Sequence, residues 1–278
     1  MLVDAHAHLV TDDPAYPAAA APARTLTAEQ LLASLDAAGA GAAVAVQRAH
    51  VYGFDNSYVL DSARAHPDRL RAMCVIDGRA PDAAATVADL AARGASAIRL
   101  TAPGGNQHGG PPGTDWFAGP AARAVWAACA DHGLSMCLHV YRWNRDEVLA
   151  EVPAVCRAFP GVPVVLDHVA SVEADRPRPW PGADLLAALA DLRQVHVKVT
   201  TLNFARLSAA GREPAELVAW LVATFGADRV LWGSDVTQTP GTHAEMLAAA
   251  HAAVAELSAA DAAAVLGGTA ARLYGLAA

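Results

Sequence analysis

Short apolar runs alternate along the chain with longer, alanine-rich amphipathic stretches. A compact apolar run bounded by turn residues reads as a buried strand, and apolar residues recurring every three or four positions read as a helix packed on one side. The strand candidates are Leu2–His8, Ala42–Val46, Leu70–Ile76, Ser96–Leu100, Ser135–Val140, Val162–Val169, Val195–Thr200 and Arg229–Asp235. Helices are predicted over Thr27–Ala38, Asn56–Ala65, Asp82–Arg93, Gly119–His132, Asp146–Phe159, Gly182–Leu192, Pro214–Phe225 and Thr242–Leu257, and Ser258–Leu276 packs as one or two closing helices. Thr27 with Gln30 has the spacing of a capping box. Gly39, Gly94 and Gly133 stand where the residue after a helix is commonly glycine.

Strict alternation of strand and helix predicts βα units around a parallel sheet. Eight units in 278 residues fit a (β/α)8 TIM barrel, whose usual size is about 250 residues. The expected fold is therefore α/β, one barrel domain over residues 1–278, with no repeat or linker dividing it. The rival doubly wound sheet would carry a glycine-rich phosphate loop after its first strand. Here that strand ends in His-Ala-His, with no such loop behind it. Asp12–Arg24, rich in Pro and Ala, and Ala102–Asp115, rich in Gly and Pro, read as loops after strands one and four. Both would lie on the C-terminal face, where they could cover a site.

The formal charge of −8, with Lys198 the only lysine, argues against nucleic acid or a membrane surface as partner. A small-molecule substrate is the expected partner, and the sequence leaves the oligomeric state open. Cys74, Cys129, Cys137 and Cys156 show no CxxC spacing and read as buried thiols of a reducing compartment. The start MLVDAHAHLV has neither the basic region nor the apolar core of a signal peptide, so the expected location is cytoplasmic.

The chemistry gathers at strand ends. His6 and His8, two apart on one strand, point to the same side and suit a divalent metal such as zinc. His139 ends the fifth strand in SMCLHV, His168 the sixth in VPVVLDHV and Asp235 the eighth in RVLWGSD. A buried polar group without a partner costs about 1–3 kcal/mol, so five at one end of one barrel call for a purpose, and that end is where barrel enzymes catalyse. His6, His8, His139 and Asp235 are the expected ligands of one divalent ion, zinc first and manganese as the alternative. Asp235 and His168 are the expected catalytic groups, Asp235 taking a proton from water and His168 orienting the water or polarising a carbonyl.

VDAHAH, LHV, LDHVAS and WGSD, in this order, resemble the amidohydrolase-2 group of metal-dependent hydrolases. VQRAHVYGFDNSYVLDSA followed by GASAIRL is similar to its lactonase branch, that of the 2-pyrone-4,6-dicarboxylate lactonases. The closing AAAVLGGTAARLYGL resembles the group's C-terminal signature, with Thr269 where an Asn is usual. The resemblance covers nearly the whole chain and implies a (β/α)8 barrel that opens a small cyclic ester. It allows two mechanisms, with a bound metal or with the His cluster acting directly on the carbonyl. Decarboxylases of the same group hold their metal with the HxH pair, a fifth-strand His and an eighth-strand Asp, so decarboxylation of a small aromatic or unsaturated acid is the alternative activity.

Arg99, ending the fourth strand, and Arg206, after the seventh, are candidates to fork onto a substrate carboxylate. Arg206 with Lys198 resembles the lactonase pattern of a strand Lys followed by an Arg. Lys198 is either a carboxylate partner inside the barrel or a general acid. Gln47, Tyr52, Asn56 and Tyr141 are candidate pocket residues, with helix capping the other reading of Asn56. His50, His108 and His243 are lesser candidates for substrate contact, and His66, His132, His196 and His251 read as surface or capping groups.

Overall fold

The computed structural model describes residues 1–20 and 24–276, so residues 21–23 of the Asp12–Arg24 loop lie outside the described residues. Eight strands run in chain order around the sheet: β1 (Val3–Ala7), β2 (Ala42–Val46), β3 (Leu70–Val75), β4 (Ala95–Thr101), β5 (Ser135–His139), β6 (Val164–Leu166), β7 (Val195–Thr200) and β8 (Val230–Gly233). Each pairs in parallel with the next. The ring closes just past the last strand, where Ala7 bridges Val236 and the Asp235 N–H donates to the His6 carbonyl at 2.7 Å. The fold is a single-domain (β/α)8 barrel.

The helices are α1 (Ala28–Ala37), α2 (Ala49–Tyr52), α3 (Ser57–Ala65), α4 (Ala83–Ala92), α5 (Asp115–Ala118), α6 (Pro120–His132), α7 (Arg145–Ala158), α8 (Ala183–Ala187), α9 (Thr201–Ala209), α10 (Pro214–Phe225), α11 (His243–Ala253), α12 (Ala259–Ala263) and α13 (Thr269–Tyr274). The Thr27–Gln30 box makes both of its hydrogen bonds at the start of α1. Gly133, at φ +66°, takes the left-handed conformation that ends α6. Among the described residues no helix is long and apolar enough to cross a membrane. Several elements differ from the sequence pattern, among them the short helices α2 and α5, which have no expected counterpart. The expected helix over 182–192 stops at Ala187, α9 follows β7 without a loop, and β6 is only three residues long. Behind β6, His168, Val169, Ala170 and Ser171 all take left-handed φ values of 47–57°.

Two apolar layers hold the barrel. Val3, Ala5, Val44, Met73, Ala97, Cys137, Val165 and Leu231 form the inner cluster, and Tyr274 and Leu276 of the closing segment join it. Trp126, Phe117, Trp232, Phe225 and the alternate strand residues form the outer layer between sheet and helices. All four cysteines are buried and unpaired.

β1 carries one extra residue. Asp4 pairs with Ala43 but Ala7 pairs with Ala45, so three steps on β1 match two on β2. In a regular strand, side chains alternate between faces, and a bulge breaks that alternation. Val3 and Ala5 belong to the inner cluster, whereas Ala7 and Leu9 belong to the outer one. The face switches at the bulge, and His6 and His8 turn inward together. The bulge is held by Asp4, which points out toward α11. Its Oδ1 accepts from His6 N at 3.0 Å and Ser234 N at 2.8 Å, and its Oδ2 lies 3.0 Å from His243 Nε2.

Burial pushes the Asp4 carboxyl up, but bonds from His243 and Ser234 outweigh it and hold it below its ordinary 3.8. Replacing Asp4 by Ala leaves two buried N–H groups unpaired, at about 1–3 kcal/mol each. Urea denaturation of Asp4→Ala is therefore expected to show a loss of roughly 2–6 kcal/mol. Because the folded carboxyl is depressed, this contribution is present above its ordinary 3.8 and is lost as pH falls through the folded value. The difference between wild type and variant should shrink on acidification. An unchanged midpoint at neutral pH would show that the bulge is held by something else.

Candidate active site

The C-terminal rim where β1 meets β8 carries the first group of residues. His6 Nε2 lies 3.3 Å from His8 Nε2 and 3.6 Å from Asp235 Oδ1, and His8 Nε2 lies 3.4 Å from the same oxygen. All three residues are buried. Gly233 allows the approach, since a Cβ built on it would sit 2.5 Å from the His6 Cβ. Asp235 itself takes a left-handed φ of 57°, which turns its carboxylate onto the imidazoles. Its Oδ2 accepts from Thr239 Oγ1 at 3.1 Å, while Oδ1 is buried and has no hydrogen-bond partner among the described residues.

Below this group lies a buried ionic cluster. Asp167 Oδ1 is 2.8 Å from Lys198 Nζ and 3.4 Å from His6 Nδ1, and Asp167 Oδ2 accepts from Arg99 Nε at 2.7 Å. Lys198 Nζ is also 3.2 Å from His6 Nδ1. Burial, then the charge of Lys198, pushes the His6 imidazole down to about 3. His139 is held well below its ordinary range by burial, Arg99 and His168, and burial lowers His168 as well. These three imidazoles are neutral at pH 7. Burial pushes both carboxyls up, but Lys198 and Arg99 hold Asp167 well down, and His8, His168 and His6 do the same for Asp235.

The residues fit a divalent ion. Zn–N and Zn–O bonds of about 2.0–2.1 Å at tetrahedral angles separate ligand atoms by about 3.3–3.5 Å, close to the spacings around Asp235 Oδ1. His8 Nδ1 lies 2.8 Å from the Val46 carbonyl, which can only accept, so His8 carries its proton there and keeps a lone pair on Nε2. His6 Nδ1 faces two groups, Lys198 Nζ at 3.2 Å, which can only donate, and Asp167 Oδ1 at 3.4 Å. His6 Nε2 is free to ligate in the tautomer that turns the Nδ1 proton to the carboxylate. The orphaned Asp235 Oδ1 supplies the third, anionic donor. Two imidazoles and a carboxylate leave one position open, as in catalytic zinc sites. A second set, His6, Asp167 and His168, also comes within 4.8 Å, but Lys198 and Arg99 already occupy its carboxylate.

The four ligands expected from sequence do not all assemble. His139 is in neither set of converging donor atoms among the described residues. Its ring stands 5.4 Å from His168 and 4.5 Å from Tyr141, with Nδ1 3.4 Å from Thr101 Oγ1. Tyr141 is thus at the site, and Trp143 stacks on it at 5.8 Å. The Ala102–Asp115 loop packs against that stack, where a Cβ on Gly110 would lie 2.6 Å from the Trp143 ring.

Other candidates are tied up in structure. Gln47 Nε2 donates to the Gly53 and Asp55 carbonyls. Asn56 does not cap α3; it bonds the Phe54 carbonyl and both backbone groups of Val75. Tyr52 bonds the backbone of Thr11 and packs with Val10 and Val51. Lys198 is fully buried as the partner of Asp167. Arg99 is buried at the site, whereas Arg206 is exposed on α9 and lines a cleft with Arg142, Asp175 and Asn203. His243 is held on Asp4, outside the barrel.

Sequence reasoning passed over Asp167, Asp4, Thr200 and Arg48. Asp167 was visible, because it is the first polar residue after the apolar run in VPVVLDHV. Arg48 donates to Thr237 Oγ1 at 2.7 Å and Gln238 Oε1 at 2.6 Å, and so holds the loop that follows Asp235.

The chain matches the amidohydrolase family over residues 3–276. No functionally curated protein matches the sequence significantly. Among solved structures, it is similar to an Acinetobacter baumannii protein assigned as a 2-pyrone-4,6-dicarboxylic acid hydrolase, with citric acid bound, at TM-score 0.78 and 19% identity over 99% of both chains. A Pseudomonas putida protein with the same assignment aligns at TM-score 0.74 and 26% identity, over 100% of this chain and 98% of the other. The 2,6-dihydroxybenzoate decarboxylase of Rhizobium shares the fold at TM-score 0.69 and 14% identity, over 99% and 98% of the two chains. With a family match from the first strand of a complete barrel to its closing helix, this chain belongs to the amidohydrolase family of enzymes.

Proposed function

We propose that this enzyme is a lactonase that opens a small, carboxylate-bearing cyclic ester. The observation that carries the reading is the pairing of two opposite features along one chain of contacts. At one end, Asp235 Oδ1 is buried against two imidazoles with no hydrogen-bond partner among the described residues. At the other, Arg99 is anchored to Asp167 through Nε alone, and among the described residues its two Nη nitrogens make no hydrogen bond. The first feature suits attack by water and the second suits a planar anion. The likeness to two proteins assigned as pyrone-dicarboxylate hydrolases, one of them holding citrate, supports an anionic cyclic substrate.

A divalent ion, zinc by its donor set, would be held by His6 Nε2, His8 Nε2 and Asp235 Oδ1 and would lower the pKa of water and polarise the ester carbonyl. Asp235 takes the proton released when water attacks and passes it to the departing ring oxygen. His168, neutral beside it, accepts a hydrogen bond from the same water. The Nη nitrogens of Arg99 fix the substrate carboxylate, and Asp167 fixes the guanidinium. Tyr141, backed by Trp143 and covered by the Ala102–Asp115 loop, walls the site from bulk water. The protein works on small-molecule substrates without nucleic acid or membrane, in the cytoplasm. Decarboxylation of an aromatic acid is the second reading, favoured by the shared fold of the Rhizobium decarboxylase. Ring opening and CO2 release, followed side by side on 2-pyrone-4,6-dicarboxylate and 2,6-dihydroxybenzoate, separate the two.

Asp235→Asn keeps the shape of the site and removes the proton acceptor, so kcat for ring opening is expected to fall about 10²–10⁴-fold. Near-wild-type turnover would refute that role. Elemental analysis should find one divalent ion per chain, and chelation should abolish activity until the ion is restored. Full activity in chelated, metal-free protein would instead support direct action by the His cluster. Arg99→Ala should raise KM for an acidic lactone about 10- to 150-fold, the equivalent of a charge-assisted contact of about 1.5–3 kcal/mol. A neutral lactone should hardly notice the change. Equal effects on both would move the substrate class to uncharged lactones.

A further inference from the structure

The hydrogen bonds behind His168 settle which of its nitrogens carries the proton. Asn203, at the third position of α9, turns its amide toward two groups. Its Nδ2 donates to the His168 carbonyl at 3.3 Å, and its Oδ1 accepts from Thr200 N at 2.9 Å. Both contacts fix the same orientation of the amide, since a carbonyl can only accept and a backbone N–H can only donate. The atom that lies 3.1 Å from Thr200 Oγ1 is therefore the amide oxygen. It cannot donate, so the single hydroxyl proton of Thr200 points at it. Thr200 Oγ1 then has only lone pairs to offer His168 Nδ1, 2.8 Å away. His168 must carry its proton on Nδ1, and Nε2 keeps the lone pair. Four buried groups close a ring: imidazole to hydroxyl, hydroxyl to amide, amide back to the carbonyl of the same histidine.

We propose that Thr200 and Asn203 are positioning residues that lock His168 as its Nδ1–H tautomer. His168 then meets a reacting molecule through Nε2 as an acceptor of a hydrogen bond or proton, and never as a donor to a carbonyl. Of the two roles open to His168 from sequence, orienting the water fits this tautomer and polarising the carbonyl does not. The tautomer stands on the hydrogen-bond ring alone; its consequence for turnover rests on the lactonase reading.

The test reads the tautomer directly. Two-bond 1H–15N correlation spectra of the 15N-histidine-labelled protein, recorded at alkaline pH where free imidazoles are neutral, distinguish a protonated Nδ1 from a protonated Nε2. The His168 signal is assigned by its loss in His168→Gln. Wild type should show the Nδ1–H pattern alone. Thr200→Val, which replaces the hydroxyl with a methyl of similar shape, should show a mixture of tautomers, and Thr200→Ser should restore the single one. Lactone turnover should follow. Second-layer partners of this kind are worth about 10–100-fold in activity, so Thr200→Val should lose that much in kcat with KM little changed, and Thr200→Ser should recover it. If Thr200→Val does not fold, Asn203→Leu serves, because it frees the Thr200 hydroxyl to donate to Nδ1 and should shift His168 toward Nε2–H. A wild-type His168 protonated on Nε2, or the unmixed Nδ1–H pattern in a folded Thr200→Val or Asn203→Leu, overturns the proposal. If no lactone turns over at all, the spectra still decide the proposal, and only the reaction is lost.

Discussion

The site depends on the carboxylate of Asp4, which reaches no imidazole or carboxylate of the site and holds two backbone amides and His243 instead. Its Oδ1 takes the amide of His6 and the amide of Ser234. The first is an amide of the bulged segment of β1, between its two shifted pairings. The second belongs to the residue before Asp235. One oxygen therefore fixes the turn of β1 and the end of β8 relative to each other, at the seam where the barrel closes. Gly233 lets the two backbones meet there, with room for no side chain between them. The spacing among His6, His8 and Asp235 is a consequence of this seam. A shift of one residue in β1 would send both imidazoles into the outer layer and leave Asp235 facing nothing.

The ionic cluster beneath contributes something other than stability. Burying a charge pair costs desolvation that the Coulomb attraction offsets only when geometry is good, so such pairs are weak evidence for stability. Asp167 is shared by Lys198, Arg99 and His6, all buried. Removing the aspartate would leave two buried cations unpaired. With it in place, His6 Nδ1 faces a carboxylate at 3.4 Å, and Arg99 has one nitrogen fixed and, among the described residues, two without a hydrogen bond. The same carboxylate thus orients a candidate metal ligand on one side and a candidate substrate ligand on the other.

Much of this was legible in the chain. Each of the eight strands lies within or close to its expected run, because parallel strands buried on both faces read as unbroken apolar runs. His6, His8, His168 and Asp235 stand together at one end because the polar residues that close such runs emerge at one rim. The sequence was less informative where a side chain's bonds decide its role. Gln47 and Asn56 have the chemistry of ligands, yet their amides hold the loop behind β2. Arg206 sits on α9, a helix that starts at the end of β7 and has no turn residues to announce it. His139 ends its strand as expected but leans on Tyr141, a packing choice that periodicity does not encode.

Regular strand alternation does not account for the pair at the end of β6. Asp167 and His168 are neighbours in sequence, and regular alternation would send them to opposite faces. Both reach the interior, with donor atoms within 4.8 Å of His6. What permits this is the run of four left-handed residues that ends β6 at Leu166. For L-residues that conformation costs roughly 1–2 kcal/mol each, so the run costs about 4–8 kcal/mol, comparable to the net stability of a typical domain at about 5–15 kcal/mol. It persists because the surroundings hold it. Val169 and Ala170 are fully buried, Arg145 and Asn203 bond the carbonyls of Ser171 and His168, and Ser171 Oγ bonds the Val140 carbonyl. β1 reaches the same end by a bulge and β6 by a left-handed turn. In both places the backbone gives up regular geometry so that residues too close in sequence for one face of a strand can converge on one point, and strain concentrated this way is what a site built for chemistry is expected to show.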